Sequence, residues 1–206
     1  MFTGIITHSG IVKKIEFGAK KDCLLAISIK EKIARKLDIG CSIACNGICL
    51  TLIKKTGNTV FFEASEETCA KTSLKKWQVG DAINIEFSLR MGDELGGHLV
   101  SGHVDGCAKL KASKRVKGSV EMVFALEKNS QDLQKFIAAK GSIVLNGVSL
   151  TVNKVGNLNK LSNFEVTTNI IPHTLEKTNL GSLEIGDLVN VEIDLIARYL
   201  ARFLKK

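Results

Sequence analysis

The sequence predicts a mostly β protein made of two homologous lobes followed by a short C-terminal helix. Three observations carry that expectation. They are a collinear internal repeat, an Asn-Gly turn between two apolar runs in each repeat, and a helical apolar pattern at the end of the chain.

The repeat fixes the number of lobes. Cys41-Ser-Ile-Ala-Cys-Asn-Gly-Ile-Cys-Leu-Thr51 lies over Gly141-Ser-Ile-Val-Leu-Asn-Gly-Val-Ser-Leu-Thr151. The overlay pairs Asn46 with Asn146, Gly47 with Gly147, Leu50 with Leu150 and Thr51 with Thr151, and it sets Cys49 opposite Ser149. Further on, Lys71-Thr-Ser-Leu74 lies over Lys177-Thr-Asn-Leu180, and Val79-Gly-Asp-Ala-Ile-Asn-Ile-Glu86 lies over Ile185-Gly-Asp-Leu-Val-Asn-Val-Glu192. A weaker match sets Thr3-Gly4 against Ser101-Gly102. Collinear matches of this kind mark a duplication rather than a chance motif. The expected lobes are 1–97 and 98–194, with a tail at 195–206.

Each lobe reads as short strands. Ser42–Cys45 and Ile48–Leu52 flank Asn46-Gly47, a dipeptide that accepts the positive φ angles of a two-residue hairpin turn. Ala82–Phe87 alternates apolar and polar residues, the period of a half-buried strand. Gly80-Asp81 and Gly186-Asp187 mark turns before such strands. Several short strands per lobe suggest a small barrel or sandwich. Short helices are expected at Glu31–Leu37 and Gln131–Ala139. In the tail, residues 195, 196, 199, 200, 203 and 204 are apolar and share one helical face, while Arg198, Arg202 and Lys205 lie elsewhere on the wheel. That face either covers its own barrel or serves self-association. Asp194 stands at the N-cap position.

Hydrophobic residues make up 45% of the chain and charged residues 24%, a composition that can bury a core and is not that of a disordered segment. The formal charge is +8, but the lysines are scattered in pairs without interleaved aromatics, so no nucleic-acid partner is expected. No run approaches the roughly 20 apolar residues of a membrane span, and no membrane partner is expected. Met1-Phe-Thr-Gly4 lacks the pattern of an export leader, so the expected location is cytoplasmic and the six cysteines are expected to be thiols.

Cys41, Cys45 and Cys49 are evenly spaced, but the Asn-Gly turn puts Cys45 and Cys49 on different strands, so no metal site is expected. Cys49 and Ser149 place a small polar side chain one residue before Leu-Thr in both lobes. They are either small core residues or polar groups lining equivalent pockets. His98 and His103 lie in Gly96-Gly-His-Leu-Val-Ser-Gly-His-Val-Asp105, which is either a glycine-rich connection or a ligand-contacting segment. Dinucleotide and phosphate-loop glycine motifs are absent from the sequence.

Taken together, Met1-Phe-Thr-Gly-Ile5, Asn46-Gly-Ile-Cys-Leu-Thr51, Gly96-Gly-His-Leu-Val-Ser-Gly-His103, Asn146-Gly-Val-Ser-Leu-Thr151 and Ile171-Pro-His-Thr-Leu175 resemble riboflavin synthase of the α type. The resemblance covers the whole chain. It implies two six-stranded Greek-key barrels plus the C-terminal helix, and a homotrimer held by those helices. It also implies sites formed between the N-terminal barrel of one subunit and the C-terminal barrel of another, each barrel binding one 6,7-dimethyl-8-ribityllumazine.

The implied reaction is dismutation of two lumazines into riboflavin and 5-amino-6-ribitylaminouracil, without cofactor or metal. Lumazine synthase is a further partner that the resemblance raises. A non-catalytic lumazine or flavin carrier, or antenna protein, of the same fold is the alternative. The survival of both Asn-Gly-x-[Cys/Ser]-Leu-Thr motifs favours the enzyme.

Carried over by position, the N-terminal pocket uses Gly4, Ile5 and Ile6, then Cys49, Leu50 and Thr51. Glu63, Ala64, Ser65, Glu66, Glu67 and Thr68 follow, with Gly102, His103 and Val104 nearby. The C-terminal pocket uses Ser149, Leu150 and Thr151 with Asn169, Ile170, Ile171, Pro172, His173 and Thr174, and Lys140 reaches across from another chain. Cys49, His103, Ser149 and Asp194 match the family's catalytic positions. Cys49 and Ser149 are expected to polarise the ligand, and His103 and Asp194 to handle protons. The chain departs from the family at Cys45, where a histidine is frequent, and at His173, where an acidic residue is common.

Overall fold

The computed structural model describes residues 1–19, 22–156 and 164–204. Among them, the first six strands are β1 (His8–Phe17), β2 (Cys23–Ser28), β3 (Ser42–Cys45), β4 (Ile48–Thr56), β5 (Thr59–Ala64) and β6 (Ala82–Phe87). They close into an antiparallel barrel in the order β1-β2-β5-β4-β3-β6. The second six are β7 (Gly106–Val116), β8 (Ser119–Leu126), β9 (Ser142–Leu145), β10 (Val148–Val155), β11 (Glu165–Ile170) and β12 (Leu188–Ile193). They close in the order β10-β11-β8-β7-β12-β9. Each barrel places its fifth strand beside its second, a Greek-key path, and closure leaves no free sheet edge.

The hairpin between β3 and β4 forms as the sequence predicts. Asn46 and Gly47 have φ of 46° and 79°, and Asn146 and Gly147 have 46° and 81°. Strand alternation then decides the core. Ile43, Cys45, Ile48, Leu50 and Leu52 point into the first barrel, with Phe62, Ile83 and Ile85 from neighbouring strands. Leu145, Val148, Leu150, Val152, Phe124 and Val191 do the same in the second.

Helix α1 spans Glu31–Ala34 and continues as tight turns to Leu37 rather than as one helix over 31–37. The helix expected at Gln131–Ala139 is instead a 3-10 segment at Lys128–Phe136. There the Gln131 amide donates to the Leu126 and Glu127 carbonyls and accepts from the Phe164 amide, and Ser130 Oγ accepts from the Cys107 amide. These bonds tie the segment to the barrel and override the helical pattern. Helices α2 (Glu66–Lys71) and α3 (Pro172–Lys177) follow β5 and β11 at equivalent places.

Helix α4 (Leu195–Leu204) begins where Asp194 accepts the Ile196 amide, so Asp194 is a helix cap. Leu195, Ala197, Arg198 and Ala201 are half-buried, whereas Ile196, Tyr199, Leu200, Phe203 and Leu204 are exposed. The apolar stripe therefore does not cover its own barrel. Lys205 lies outside the described residues.

A local two-fold relates the barrels. The Asn84 side-chain amide donates to the Asn146 carbonyl at 2.9 Å, and that of Asn190 donates to the Asn46 carbonyl at 2.8 Å. The backbone amides of Asn84 and Asn190 donate to the side chains of Asn46 and Asn146 in their own barrels. Each asparagine is buried and satisfied, so the two hairpin turns are locked face to face.

Candidate active site

The segments that lead into each barrel cross to the other one. Thr3 and Gly4 are held by the first barrel: Glu86, on β6, accepts the Thr3 amide, the Thr3 hydroxyl and the Gly4 amide at 2.6, 2.7 and 3.0 Å. Yet the Gly4 carbonyl accepts from the Ser149 amide of β10 at 2.8 Å, and Ile6 packs on the second core. In mirror fashion, Glu192 on β12 accepts the Ser101 amide, the Ser101 hydroxyl and the Gly102 amide at 2.6, 2.7 and 2.9 Å. The Gly102 carbonyl accepts from the Cys49 amide of β4 at 2.8 Å, and Val104 packs on the first core.

Glycine is required at both crossings. Gly4 and Gly102 have φ of 76° and 78°. A Cβ would stand 2.5 Å from the Ser149 Cβ in one case and 2.6 Å from the Cys49 Cβ in the other.

This corrects one grouping made from the sequence. Gly4, Ile5 and Ile6 were expected beside Cys49; the structure places Gly4 against Ser149. The reason is the two-fold packing, which no local pattern encodes. Gly102, His103 and Val104 do lie with Cys49. These three and Cys49 line a cavity of about 490 Å³ together with Glu67, Thr68, Lys71 and Thr72 of the α2 region and Leu195, Arg198 and Tyr199 of α4.

At Ser149 the hydroxyl is joined to His98 Nδ1 at 2.7 Å. His98 Nε2 is buried with no hydrogen-bond partner among the described residues. Burial lowers the His98 pKa below 6.5, and the nearby Asp194 carboxylate pulls the other way without prevailing. The ring is therefore neutral near pH 7, able to accept a proton or to exchange one with the hydroxyl.

Several sequence-predicted residues sit elsewhere. Leu50, Leu150, Ala64 and Ile170 point into the barrel cores, because each lies on the inward register of its strand. Thr51 and Thr151 are exposed two positions beyond Cys49 and Ser149. Glu63 lines a separate shallow cavity with Glu16, Phe17 and Cys23. Ser65 caps α2, accepting the Thr68 amide at 3.2 Å, and Glu66 opens that helix.

Asn169 is exposed at the end of β11, its amide donating to the Asn153 side chain. Ile171 stands at the N-cap position of α3 without a side-chain capping bond, Pro172 opens the helix, and His173 and Thr174 follow, with His173 exposed. Lys140 is exposed in the turn before β9, at φ 67°, and does not line the Cys49 cavity. Ile5 reaches a larger cavity, about 730 Å³, between α1 and the stretch after β6, lined also by Ile33, Leu37, Cys41, Phe87 and Leu89.

Sequence reasoning passed over Glu86 and Glu192, and it raised His98 only as part of a segment that either connects the lobes or contacts a ligand. The two glutamates were aligned in the repeat, which was the available signal, but nothing in their strands marks a buried carboxylate. Burial raises both pKa values, against the hydroxyl and amide donors that lower them. No group of three His, Cys, Asp or Glu side chains among the described residues is arranged to hold a metal ion. No helix among them is long and apolar enough to cross a membrane.

A family model described as the lumazine binding domain matches residues 3–88 and again 101–194. Riboflavin synthase of Brucella abortus is 44% identical over 207 residues, covering 98% of this chain and 97% of the relative. The chain belongs to the riboflavin synthase family. Riboflavin synthase of Bacillus subtilis is 38% identical, with 100% of this chain and 91% of the relative covered.

Among solved structures, LumP complexed with 6,7-dimethyl-8-(1'-D-ribityl) lumazine matches at a TM-score of 0.80 and 25% identity, covering 93% of this chain and 98% of LumP. LumP complexed with riboflavin matches at 0.82 and 26%, covering 94% and 99%. For a riboflavin synthase family member, the two matched stretches coincide with the two barrels and their leading segments.

Proposed function

We propose that the chain dismutates two molecules of 6,7-dimethyl-8-ribityllumazine into riboflavin and 5-amino-6-ribitylaminouracil, using one lumazine site on each barrel and no cofactor. The observation that carries this reading is the paired construction of Cys49 and Ser149. Each stands at the same point of its barrel, and each is seated by a glycine carbonyl from the segment that leads into the other. A reaction between two copies of one molecule is served by two copies of one site.

The methyl on C7 of the lumazine is acidic because its anion delocalises into the ring system. One lumazine loses that proton and becomes a carbon nucleophile, and the other is attacked at an electrophilic ring carbon. A four-carbon unit passes from donor to acceptor, so one substrate is oxidised as the other is reduced. The protein contributes orientation and proton transfer. At the first site Cys49, His103 and Thr68 face the ligand. At the second, Ser149 and His98 do, with Gly4, Ile5 and Ile6 as one wall and His173 and Thr174 of α3 as another. Neutral His98 takes or returns the proton, and Asp194 stabilises the ring when it is charged.

Ile196, Tyr199, Leu200, Phe203 and Leu204 form one exposed apolar stripe on α4, the kind of patch that marks an interaction surface. It supports a homotrimer built on α4, with Lys140 completing a site on a neighbouring subunit. The expected compartment is the cytoplasm. Full-length synthase relatives at 44% and 38% identity, against 25% and 26% for LumP, favour the enzyme over a carrier. Mixing the purified protein with the lumazine tests this directly. Growth of riboflavin absorbance supports the enzyme; binding that leaves the lumazine unchanged supports the carrier and refutes the proposal.

A further inference from the structure

Resting on the dismutation reading above, we infer that Arg198 is a positioning residue for the Cys49 pocket, acting through Asp105. The Arg198 guanidinium donates to both Asp105 carboxylate oxygens, at 2.7 and 2.8 Å. The Ile193 amide donates to one of the same oxygens at 3.0 Å, and the Asp105 amide donates to the Val191 carbonyl at 2.8 Å. The Asp105 side chain is only 11% exposed, against 40% for Arg198. Residue 105 is thereby pinned to β12 and α4 at once.

The consequence falls on the three residues before it. Gly102 is fixed to Cys49 through its carbonyl, and Asp105 is fixed to α4 through Arg198. His103 and Val104 are stretched between these anchors, and His103 lines the cavity that also contains Cys49, Thr68, Arg198 and Tyr199. Loosening the Asp105 anchor frees His103 to shift relative to Cys49. Removing the guanidinium also leaves a mostly buried carboxylate without its counter-charge, which favours rearrangement of the segment.

The other site has no such device. The position equivalent to Asp105 is Thr7. Its amide and hydroxyl both go to the Ile85 carbonyl, the counterpart of Val191, and the equivalent stretch after β6 is not a helix. The repeat thus supplies two related pockets, and α4 makes them unlike. Dismutation places identical molecules in two different roles, so unlike sites are what it requires. The clamp also connects the seat of α4 to the geometry of the first site.

The test uses the full chain and four variants: Arg198→Ala, Arg198→Lys, Asp105→Asn and the double variant R198A/D105N. Riboflavin binding is followed by fluorescence quenching, and turnover of the lumazine by steady-state kinetics. R198A and D105N should each raise Kd and KM by roughly tenfold, the scale of a coupled pair, with kcat changed less and circular dichroism preserved. The double variant should be no worse than either single one, and R198K should recover most of the loss. R198A binding and turning over like the parent would overturn the inference, as would single effects that multiply in the double variant. Should the unsubstituted chain make no riboflavin from the lumazine, the dismutation reading fails and takes the role of Arg198 with it. An active parent with an unaffected R198A removes the role of Arg198 alone.

Discussion

The Gly4 carbonyl accepts from the Ser149 amide at 2.8 Å, so the start of the first repeat packs against the strand of the second barrel that carries Ser149. Gly102 and Cys49 repeat the relationship in the opposite sense. Cys49 and Ser149 are thus each flanked by the leading segment of the other lobe. The barrels are therefore interlocked beside Cys49 and Ser149 as well as through the Asn84–Asn146 and Asn190–Asn46 bonds.

Gly4→Ala should damage the Ser149 site without unfolding the barrels. The added Cβ meets Ser149 at 2.5 Å, and the φ of 76° strains any L residue by ~1 kcal/mol. The segment has to move off Ser149. A displacement of about 1 Å at a reacting site costs about a hundredfold in rate. Turnover should fall on that scale, with far-UV circular dichroism unchanged. A G4A protein as active as the parent would show that this segment is no part of the site.

His98 should give the reaction an acid limb. Its folded pKa lies below 6.5, so the folded state binds fewer protons at this ring than the unfolded chain does. The stabilisation is present above pH 6.5 and is lost as pH falls through the lowered folded value. Turnover that depends on the neutral ring should decline over the same range. His98→Gln keeps a hydrogen-bonding side chain that does not titrate. It should slow the reaction by about 10²-fold and remove that limb from the pH–rate profile. An unchanged profile would dismiss His98 as a proton carrier.

Glu86 and Glu192 should weaken the fold as pH rises. Their folded pKa values are raised, chiefly by burial, above the ordinary 4.5. The contribution of each is fully present below the unfolded value and is lost as pH climbs through the raised folded one. In the double variant E86Q/E192Q this dependence should vanish. Each Gln also sets an NH₂ group against amide and hydroxyl donors, a loss of about 1–3 kcal/mol per site. Urea melts across the acid range measure both effects. Parallel stability curves for parent and double variant would contradict the assignment.

Much of this was legible in the chain. The repeat paired Asn46 with Asn146, Glu86 with Glu192 and Cys49 with Ser149, and each pair occupies equivalent places in the two barrels. The Asn-Gly turns and the strands Ser42–Cys45 and Ala82–Phe87 form as read. The side on which the leading segments lie was not legible. Thr3-Gly4 and Ser101-Gly102 align as equals, and only the packing of one barrel on the other decides which strand each meets. That Leu50, Leu150, Ala64 and Ile170 turn their side chains into the cores follows from strand alternation, which leaves only their backbone groups to face outward. The 3-10 segment at Lys128–Phe136 escaped because its winding is set by Gln131 and Ser130 reaching to distant backbone, not by its own periodicity.

Two lumazine sites per chain, each bordered by the other lobe's leading segment, would set a stoichiometry that equilibrium dialysis of the full chain against the lumazine reads. The parent should saturate at two ligands per chain, G4A and G102A at one each, and the double variant at none, because each glycine serves a different site. Saturation of the parent at a single ligand, or a double variant that still binds one ligand, would show that the two glycines do not serve two separate lumazine sites.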